Sequence, residues 1–200
     1  MHVAIIGNGI TGVTAARELR KRQPHWRISV ISGESDHHWS RPALMYVYMG
    51  HMRFQDTQPY EDRFWRDNRI DLVRGWVTAI DPEGHRLELD GSRPLTFDKL
   101  LIATGSQPNR FGWPGQDLDR VGGLYSLQDL EALERWSVDL KSAAIVGGGL
   151  IGVELAEMLH SRGVAVTFLV REEAYWNNVL PQREAELVSD VIRAEGIDLR

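Results

Sequence analysis

Short runs of consecutive apolar residues alternate along this chain with segments of helical periodicity. The first run, Val3–Ile6, leads into a glycine-rich turn and then into Val13 and Ala16, which share one face of a helix that Pro24 must end. A second apolar run, Ile28–Ile31, follows. Uninterrupted apolar runs are typical of strands buried on both faces. The pattern therefore predicts strand, glycine turn, helix and strand, which is the opening of a parallel sheet.

The same pattern occurs twice. Residues 3–13 reappear in residues 143–153, with GNGITG in the first copy and GGGLIG in the second. In the second copy Ile151, Leu155 and Leu159 are predicted to form the buried face of a helix, and another β-branched run follows. The repetition predicts two similar modules in one chain.

The sequence between the two copies has a different pattern of apolar and turn-forming residues. Apolar runs at residues 77–81, 86–89 and 95–97 are separated by turn-forming residues, which predicts a small antiparallel meander. A buried strand at residues 99–103 follows. The predicted fold class is α/β, with tandem Rossmann-like parallel sheets and a small antiparallel meander inserted in the first.

Composition and charge exclude several kinds of protein. The formal charge of −5, without clustered Lys or Arg, argues against a nucleic-acid surface. The absence of cysteine excludes disulfides, thiolate metal sites and redox-active dithiols. No other metal site is expected, because adjacent His37 and His38 lack a third ligand at suitable spacing. No apolar run is long enough for a membrane span and no signal peptide is recognisable, so we expect a cytoplasmic protein.

The glycine turns have the pattern that dinucleotides require. A pyrophosphate binds backbone N–H groups at a helix N-terminus. Gly7 permits the tight turn, Gly9 lets the phosphate approach the backbone, and Gly12 lets the helix lie close to the strand. The predicted contacts are Gly7, Asn8, Gly9, Ile10, Thr11 and Gly12 in the first copy, and Gly147, Gly149, Leu150, Ile151 and Gly152 in the second.

An acidic residue after the second strand binds the adenosine ribose in such modules. Glu34 is placed for that role in the first copy. In the second copy the equivalent place reads Val170, Arg171 and Glu172. Arg171 can pair with a 2′-phosphate, whereas Glu172 can reach the ribose. The sequence favours NADPH over NADH only slightly.

Two further segments complete a recognisable order. Gly75–Asp81 reads GWVTAID, and Phe97–Pro108 contains the ATG strand end. With the two glycine turns they make the chain resemble the two-dinucleotide-binding-domain flavoproteins, the pyridine nucleotide-disulfide oxidoreductase superfamily. The resemblance covers nearly the whole chain and implies that the first module binds FAD and the second NAD(P)H. It adds as FAD contacts the residues Val77, Ala103, Thr104 and Gly105.

The loop after the second strand resembles one branch of this superfamily in particular. Ser32-Gly33-Glu34, followed by Ser40 to Leu44, is similar to the rubredoxin and ferredoxin reductase branch. That branch implies Glu34 on the adenosine ribose and Arg41 near the FAD phosphates. The branch has a lysine beside the flavin where this chain has Tyr46, so the lysine's role cannot be carried over. Because cysteine is absent, the thiol-dependent branches are excluded.

The resemblance implies a function for the second helix and for the chain. Glu154 corresponds to a family glutamate near the nicotinamide and flavin, where it is the candidate catalytic residue. The expected activity moves hydride from NAD(P)H to FAD and electrons on to a redox protein, a quinone or oxygen. The alternatives are a non-catalytic nucleotide-binding fragment or degenerate homologue, and a flavin-free short-chain dehydrogenase. A short-chain dehydrogenase needs a catalytic Tyr-x-x-x-Lys pair, and this chain has none.

The expected domains follow from these modules. Residues 1–110 are predicted to form the FAD-binding domain, residues 111–125 a linker and residues 126–200 the NAD(P)-binding domain. The NAD(P)-binding domain is expected to be truncated, because the second copy stops as its third strand begins. The resemblance implies a later return of the chain to the FAD-binding domain, so that domain is expected to be incomplete as well. The 200-residue chain is therefore expected to be inactive alone. A homodimer is a possible assembly.

Overall fold

The computed structural model describes all 200 residues, in ten strands and six helices. The strands are β1 (His2–Ile6), β2 (Arg27–Ser32), β3 (Ile70–Arg74), β4 (Val77–Asp81), β5 (Arg86–Leu89), β6 (Leu95–Thr96), β7 (Lys99–Ile102), β8 (Ser142–Val146), β9 (Ala165–Leu169) and β10 (Asp198–Leu199). The helices are α1 (Ile10–Arg22), α2 (Leu44–Tyr48), α3 (Asp62–Asp67), α4 (Leu127–Ser137), α5 (Leu150–Ser161) and α6 (Gln182–Ala194). The α/β fold class, with two parallel sheets and one antiparallel sheet, is confirmed.

The first parallel sheet has the strand order β3-β2-β1-β7. Its central strand β1 is buried from Val3 to Ile6 because other elements cover both faces. Helices α1 and α3 cover one face, where Val13, Ala16 and Trp65 pack on Val3 and the neighbouring strand residues. Burying an aliphatic side chain in this way stabilises a fold by about 1.5–3 kcal/mol.

The antiparallel sheet β4-β5-β6 covers the other face. Leu87, Leu89 and Phe97 pack against Ala4 and Ile6 of β1. The meander therefore closes the core on the side that α1 leaves open, and the predicted insertion into the first module is confirmed.

The second parallel sheet has the order β10-β9-β8 and repeats the opening of the first. Helix α5 buries Gly152, Ala156, Met158 and Leu159. Ile151, predicted on this buried face, is instead 50% exposed. The prediction was wrong for Ile151 because this residue lies in the first turn of α5, at the glycine turn, where no neighbouring element covers it.

By its contacts the chain forms two compact units. The first unit comprises Met1–Ala43, Arg53–Asn109 and Tyr125–Gln128, and the second comprises Leu44–Met52, Arg110–Leu124 and Asp129–Arg200. Helix α2 therefore packs within the second unit, although it lies in the predicted FAD domain. None of the helices is long and apolar enough to cross a membrane.

Candidate functional site

The glycine turn after β1 has the geometry that a pyrophosphate needs. Gly7 has φ of +111°, and a Cβ there would lie 2.1 Å from the Ala103 carbonyl oxygen. A Cβ on Gly12 would lie 2.0 Å from the Gly7 carbonyl oxygen. Gly9, by contrast, has no neighbour within 4 Å of its ideal Cβ position. The turn is therefore closed on the protein side and open at Gly9, where a ligand can approach the backbone.

Helix α1 begins at this open position without a protein partner for its first turn. Gly9 is its N-cap residue and supplies no side-chain hydrogen bond, and the first turn carries no acidic residue. The first N–H groups of a helix lack intrahelical acceptors and carry a partial positive charge. The turn thus has the open backbone and the partial positive charge that an anionic diphosphate requires.

Asn8 and His38 attach the loop after β2 to this turn. The Asn8 amide nitrogen donates to the Ser35 carbonyl and hydroxyl oxygens at 3.1 Å each, and to the His37 carbonyl oxygen at 3.2 Å. The His38 Nδ1–H donates to the Asn8 carbonyl oxygen at 2.8 Å. Burial lowers the pKa of His38, while the hydrogen bond to Asn8 opposes that effect. Asn8 therefore acts through its side chain as a structural link.

Glu34 lies where the sequence predicted the ribose-binding acid, after β2. Its carboxylate accepts hydrogen bonds from Arg41 at 3.0 and 2.7 Å and from the Leu127 backbone N–H at 3.0 Å. The last of these contacts places the carboxylate at the N-terminus of α4, where negative charge is favourable. Two of these hydrogen bonds end on Oε1 and one ends on Oε2.

The Arg41 side chain is 31% exposed and makes several further contacts with protein groups. Its guanidinium lies 4.7 Å from the Trp39 ring centroid and 4.4 Å from the Tyr125 ring centroid. It also donates to the Tyr125 carbonyl oxygen. Sequence reasoning missed Trp39 and Tyr125. Trp39 could have been suspected because it lies only two positions before Arg41. Tyr125 could not, because it lies 84 residues away.

The end of β7 closes the other side of the first turn. The Ala103 backbone N–H donates to the Ile6 carbonyl oxygen at 2.8 Å, which extends the pairing of β7 with β1 to the glycine turn. Gly105 has φ of +76°, and the Ser106 N–H donates to the Tyr125 hydroxyl at 3.0 Å. The exposed Thr104 lies between them. Val77 begins β4, at the same edge of the sheet as the end of β3.

The second glycine turn repeats the first. Gly147 has φ of +122°, and a Cβ on Gly152 would lie 2.2 Å from the Gly147 carbonyl oxygen. Gly149 is the N-cap of α5, again without a side-chain hydrogen bond and with no neighbour within 4 Å of its ideal Cβ. Leu150 and Ile151 are exposed beside it. The predicted second dinucleotide turn thus has the required shape.

Two charged side chains, Arg171 and Glu172, follow β9 beside the second glycine turn. A Cβ on Gly148 would lie 3.0 Å from Val170 and 3.6 Å from the Glu172 carboxylate. Glu172 is 18% exposed, whereas Arg171 is 92% exposed and reaches back to Glu172 at 3.2 Å. The backbone N–H of Glu172, and then Arg171, lower the pKa of the Glu172 carboxyl. The carboxylate that lies at the turn is therefore Glu172.

Glu154 is half-buried in the second turn of α5, close to Tyr175. Burial raises the pKa of the Tyr175 phenol, and the negative charge of Glu154 raises it further. The Tyr175 hydroxyl donates to the Gly149 carbonyl oxygen at 3.4 Å, and its backbone N–H donates to the Ser189 hydroxyl at 2.8 Å. Tyr175 thus connects α6 with the glycine turn, a role that the sequence did not indicate.

A cavity of about 240 Å³ lies elsewhere, at the opposite end of β1 from the glycine turn. His2, Arg27 and Arg93 line it, and Arg27 is already paired with Asp71 at 3.0 Å. It is therefore separate from both glycine turns. No cluster of three or more His, Asp or Glu side chains is arranged to hold a metal ion.

Comparison with known proteins gives one family for the whole chain. The pyridine nucleotide-disulphide oxidoreductase family matches residues 1–200. The ferredoxin reductase component of chlorobenzene dioxygenase from Cupriavidus sp. (strain PS12) is 34% identical over 197 residues, which cover 98% of this chain and 48% of that protein. The ferredoxin–NAD(+) reductase subunit of the benzene 1,2-dioxygenase system from Pseudomonas putida is 30% identical over 200 residues, 99% of this chain and 48% of that protein.

A solved structure agrees with these matches. The ferredoxin reductase for the CYP199A2 system from Rhodopseudomonas palustris superposes with a TM-score of 0.88 at 26% identity, covering 100% of this chain and 50% of that one. The chain thus spans about half the length of the relatives that it matches.

Proposed function

This chain belongs to the pyridine nucleotide-disulphide oxidoreductase family, and from that membership we propose that its first module binds FAD and its second binds a nicotinamide coenzyme. The observation that carries the proposal is the pair of glycine turns, each open at its second glycine and each followed by an uncapped helix. Two such turns in one chain fit two dinucleotides.

FAD, when bound, accepts hydride and releases electrons singly. The chain's own residues bind and orient it. The N–H groups at the start of α1 receive the diphosphate, and the Glu34 carboxylate accepts a hydrogen bond from a ribose hydroxyl. Arg41 holds the Glu34 carboxylate in that orientation. Ala103, Thr104 and Gly105 form the opposite wall of the turn, and the Val77 backbone lies beyond β3.

We propose NADH as the coenzyme of the second module. Glu172 supports this choice because its carboxylate lies beside the turn, where it can accept hydrogen bonds from ribose hydroxyls and repel a 2′-phosphate. The Pseudomonas putida relative is also named for NAD(+). Arg171 acts in the opposite direction, since its exposed guanidinium can pair with a 2′-phosphate. Glu154 is proposed to orient the nicotinamide amide.

The proposed electron acceptor is a small redox protein of the ferredoxin type, rather than a quinone or oxygen. The names of the relatives support it, because both curated proteins and the solved structure are ferredoxin reductases. Residues 1–200 contain no cysteine, so none of them can supply a thiol relay.

Two matched alanine substitutions test the assignment of the two turns. The Cβ in Gly9→Ala and in Gly149→Ala meets no protein atom within 4 Å, and both residues have φ values that alanine adopts freely. Neither change should lower the melting temperature. Gly9→Ala should weaken FAD binding at least tenfold, because its methyl group stands where the diphosphate approaches. Gly149→Ala should leave FAD bound and weaken NADH binding instead.

The measurements are flavin absorbance of the purified protein, FAD titration, and bleaching of the flavin by NADH followed by reduction of a [2Fe–2S] ferredoxin. FAD binding that is equally strong in the wild type and in Gly9→Ala would contradict the assignment of the first turn. A wild-type protein that binds neither FAD nor NADH would contradict the proposed function as a whole.

A further inference from the structure

Trp76 is a large aromatic side chain exposed at the nucleotide edge of the first sheet. It follows β3, and its side chain is 60% exposed, whereas Trp39 and Trp65 are buried. Its backbone is fixed, because the Asp90 N–H donates to the Trp76 carbonyl oxygen at 2.8 Å. An exposed indole on a fixed backbone offers a flat apolar surface to a ligand.

The indole rests on Gly33. A Cβ on Gly33 would lie 2.1, 2.4 and 2.5 Å from three ring atoms of Trp76, so one face of the indole covers the Gly33 backbone where a side chain would otherwise stand. Gly33 immediately precedes Glu34 and follows β2. The absence of a side chain at Gly33 thus places the indole directly beside the predicted ribose acid, with its other face towards solvent.

The order of the strands sets the direction of the cofactor. Strands β1, β2 and β3 are neighbours, with Ile6 opposite Ile31 and Ser32 opposite Arg74, so their carboxyl ends lie side by side about 4.8 Å apart. The diphosphate site follows β1 and the ribose site follows β2. The next group of the cofactor along this line is adenine, and Trp76 follows β3.

We propose that Trp76 stacks on the adenine of FAD and is a positioning residue for the cofactor. This inference rests on the proposed FAD site in the first module. The indole would contact the flat face of the adenine base and hold that base in place, while Glu34 holds the adjoining ribose. Gly33 is also required for this arrangement, because any side chain at that position would displace the indole.

Ligands with and without adenine separate stacking from a merely structural role. The purified protein is titrated with FAD, ADP and FMN, with binding measured by calorimetry and by quenching of tryptophan fluorescence. Trp76→Ala should weaken FAD and ADP by a similar factor, roughly tenfold, and leave FMN unchanged. Trp76→Phe should restore part of the affinity and lose part of the quenching. Gly33→Ala should weaken FAD and ADP in the same way, since its backbone accepts alanine.

Trp113→Ala is the control, because Trp113 is also exposed but stacks on Phe111 in the second unit. It should bind all three ligands like the wild type. Wild-type affinity for FAD in Trp76→Ala, or an equal loss for FMN, would overturn the inference. If the wild type itself bound no FAD, the proposed function would fail instead, which is a distinguishable result.

Discussion

The carboxylate of Glu34 and the guanidinium of Arg41 are joined by two parallel hydrogen bonds, of 3.0 Å at Oε1 and 2.7 Å at Oε2. The family resemblance implied separate contacts, Glu34 with the ribose and Arg41 with the phosphates. In the structure each residue fixes the other, and the ring centroids of Trp39 and Tyr125 lie 4.7 and 4.4 Å from the guanidinium. The Glu34 carboxylate is therefore held in its orientation by protein groups alone.

The first prediction concerns this pair. Glu34→Ala should weaken FAD binding and also lower the free energy of unfolding by about 1–3 kcal/mol, because it leaves the Leu127 N–H without its acceptor and a largely buried Arg41 without its carboxylate partner. Arg41→Ala combined with Glu34→Ala should cost less than the sum of the single changes. Urea unfolding and FAD titration of all three variants measure this. Additive costs would contradict the coupling.

The second prediction concerns coenzyme choice. Glu172→Gln should lower the NADH over NADPH ratio of kcat/KM by roughly tenfold, because a carboxylate that repels the 2′-phosphate is lost. Arg171→Gln should raise the same ratio by a similar factor. Both residues lie at the second turn, so FAD content should stay constant in either variant and serves as the control. A ratio that moves in the same direction in both variants would refute their opposed roles.

The third prediction concerns Glu154. Replacing it with Gln keeps the shape and removes the charge, so stability should change little while the rate of flavin reduction by NADH falls. We expect roughly a tenfold loss in that rate, with FAD affinity unchanged. Rapid mixing of the oxidised protein with NADH measures the rate. Glu157→Gln, at an exposed position one turn further along α5, is the control.

The fourth prediction is a dependence of stability on pH. Burial lowers the pKa of His38 below its ordinary value of 6.5. As the pH falls through 6.5, the unfolded chain takes up a proton that the folded protein resists, so stability is lost on acidification. The melting temperature should fall less between pH 7 and about pH 5 in His38→Gln than in the wild type. His25→Gln, at an exposed site, should follow the wild type.

The fifth prediction concerns the second unit. Arg162 lies 3.5 Å from the centroid of the Tyr48 ring and pairs with Glu134 at 2.6 and 2.7 Å. Tyr48 is only 1% exposed, so the guanidinium covers a desolvated ring. Arg162→Ala should therefore destabilise the protein by about 2–3 kcal/mol. Arg135→Ala, an exposed arginine on α4, should change the stability by less than about 0.5 kcal/mol.

Local patterns predicted much of this molecule, since apolar runs, glycine turns and helical spacing depend on residues close in sequence. Both parallel sheets, the meander and the two turns followed from them. The contacts around Arg41 could not be predicted in this way. Tyr125 is 84 residues away, and every residue has a carbonyl oxygen, so the sequence does not indicate which one Arg41 contacts. Ile151 was wrongly predicted to be buried. Helical periodicity predicts which face of a helix is apolar, but it does not predict how far along that face the neighbouring elements extend. Trp76 over Gly33 likewise needed the structure.

The place of helix α2 has a consequence for synthesis. Tyr48 is made early, yet its partner Arg162 follows 114 residues later. At about 5–20 residues per second, a ribosome takes roughly 6–23 s to supply that partner. Strand β3, the meander and β7 are made within the same interval and can pair as they appear. The ring of Tyr48 has no arginine to cover it until residue 162 is made. The segment from Leu44 to Met52 is thus the part of the nascent chain that a chaperone would meet exposed.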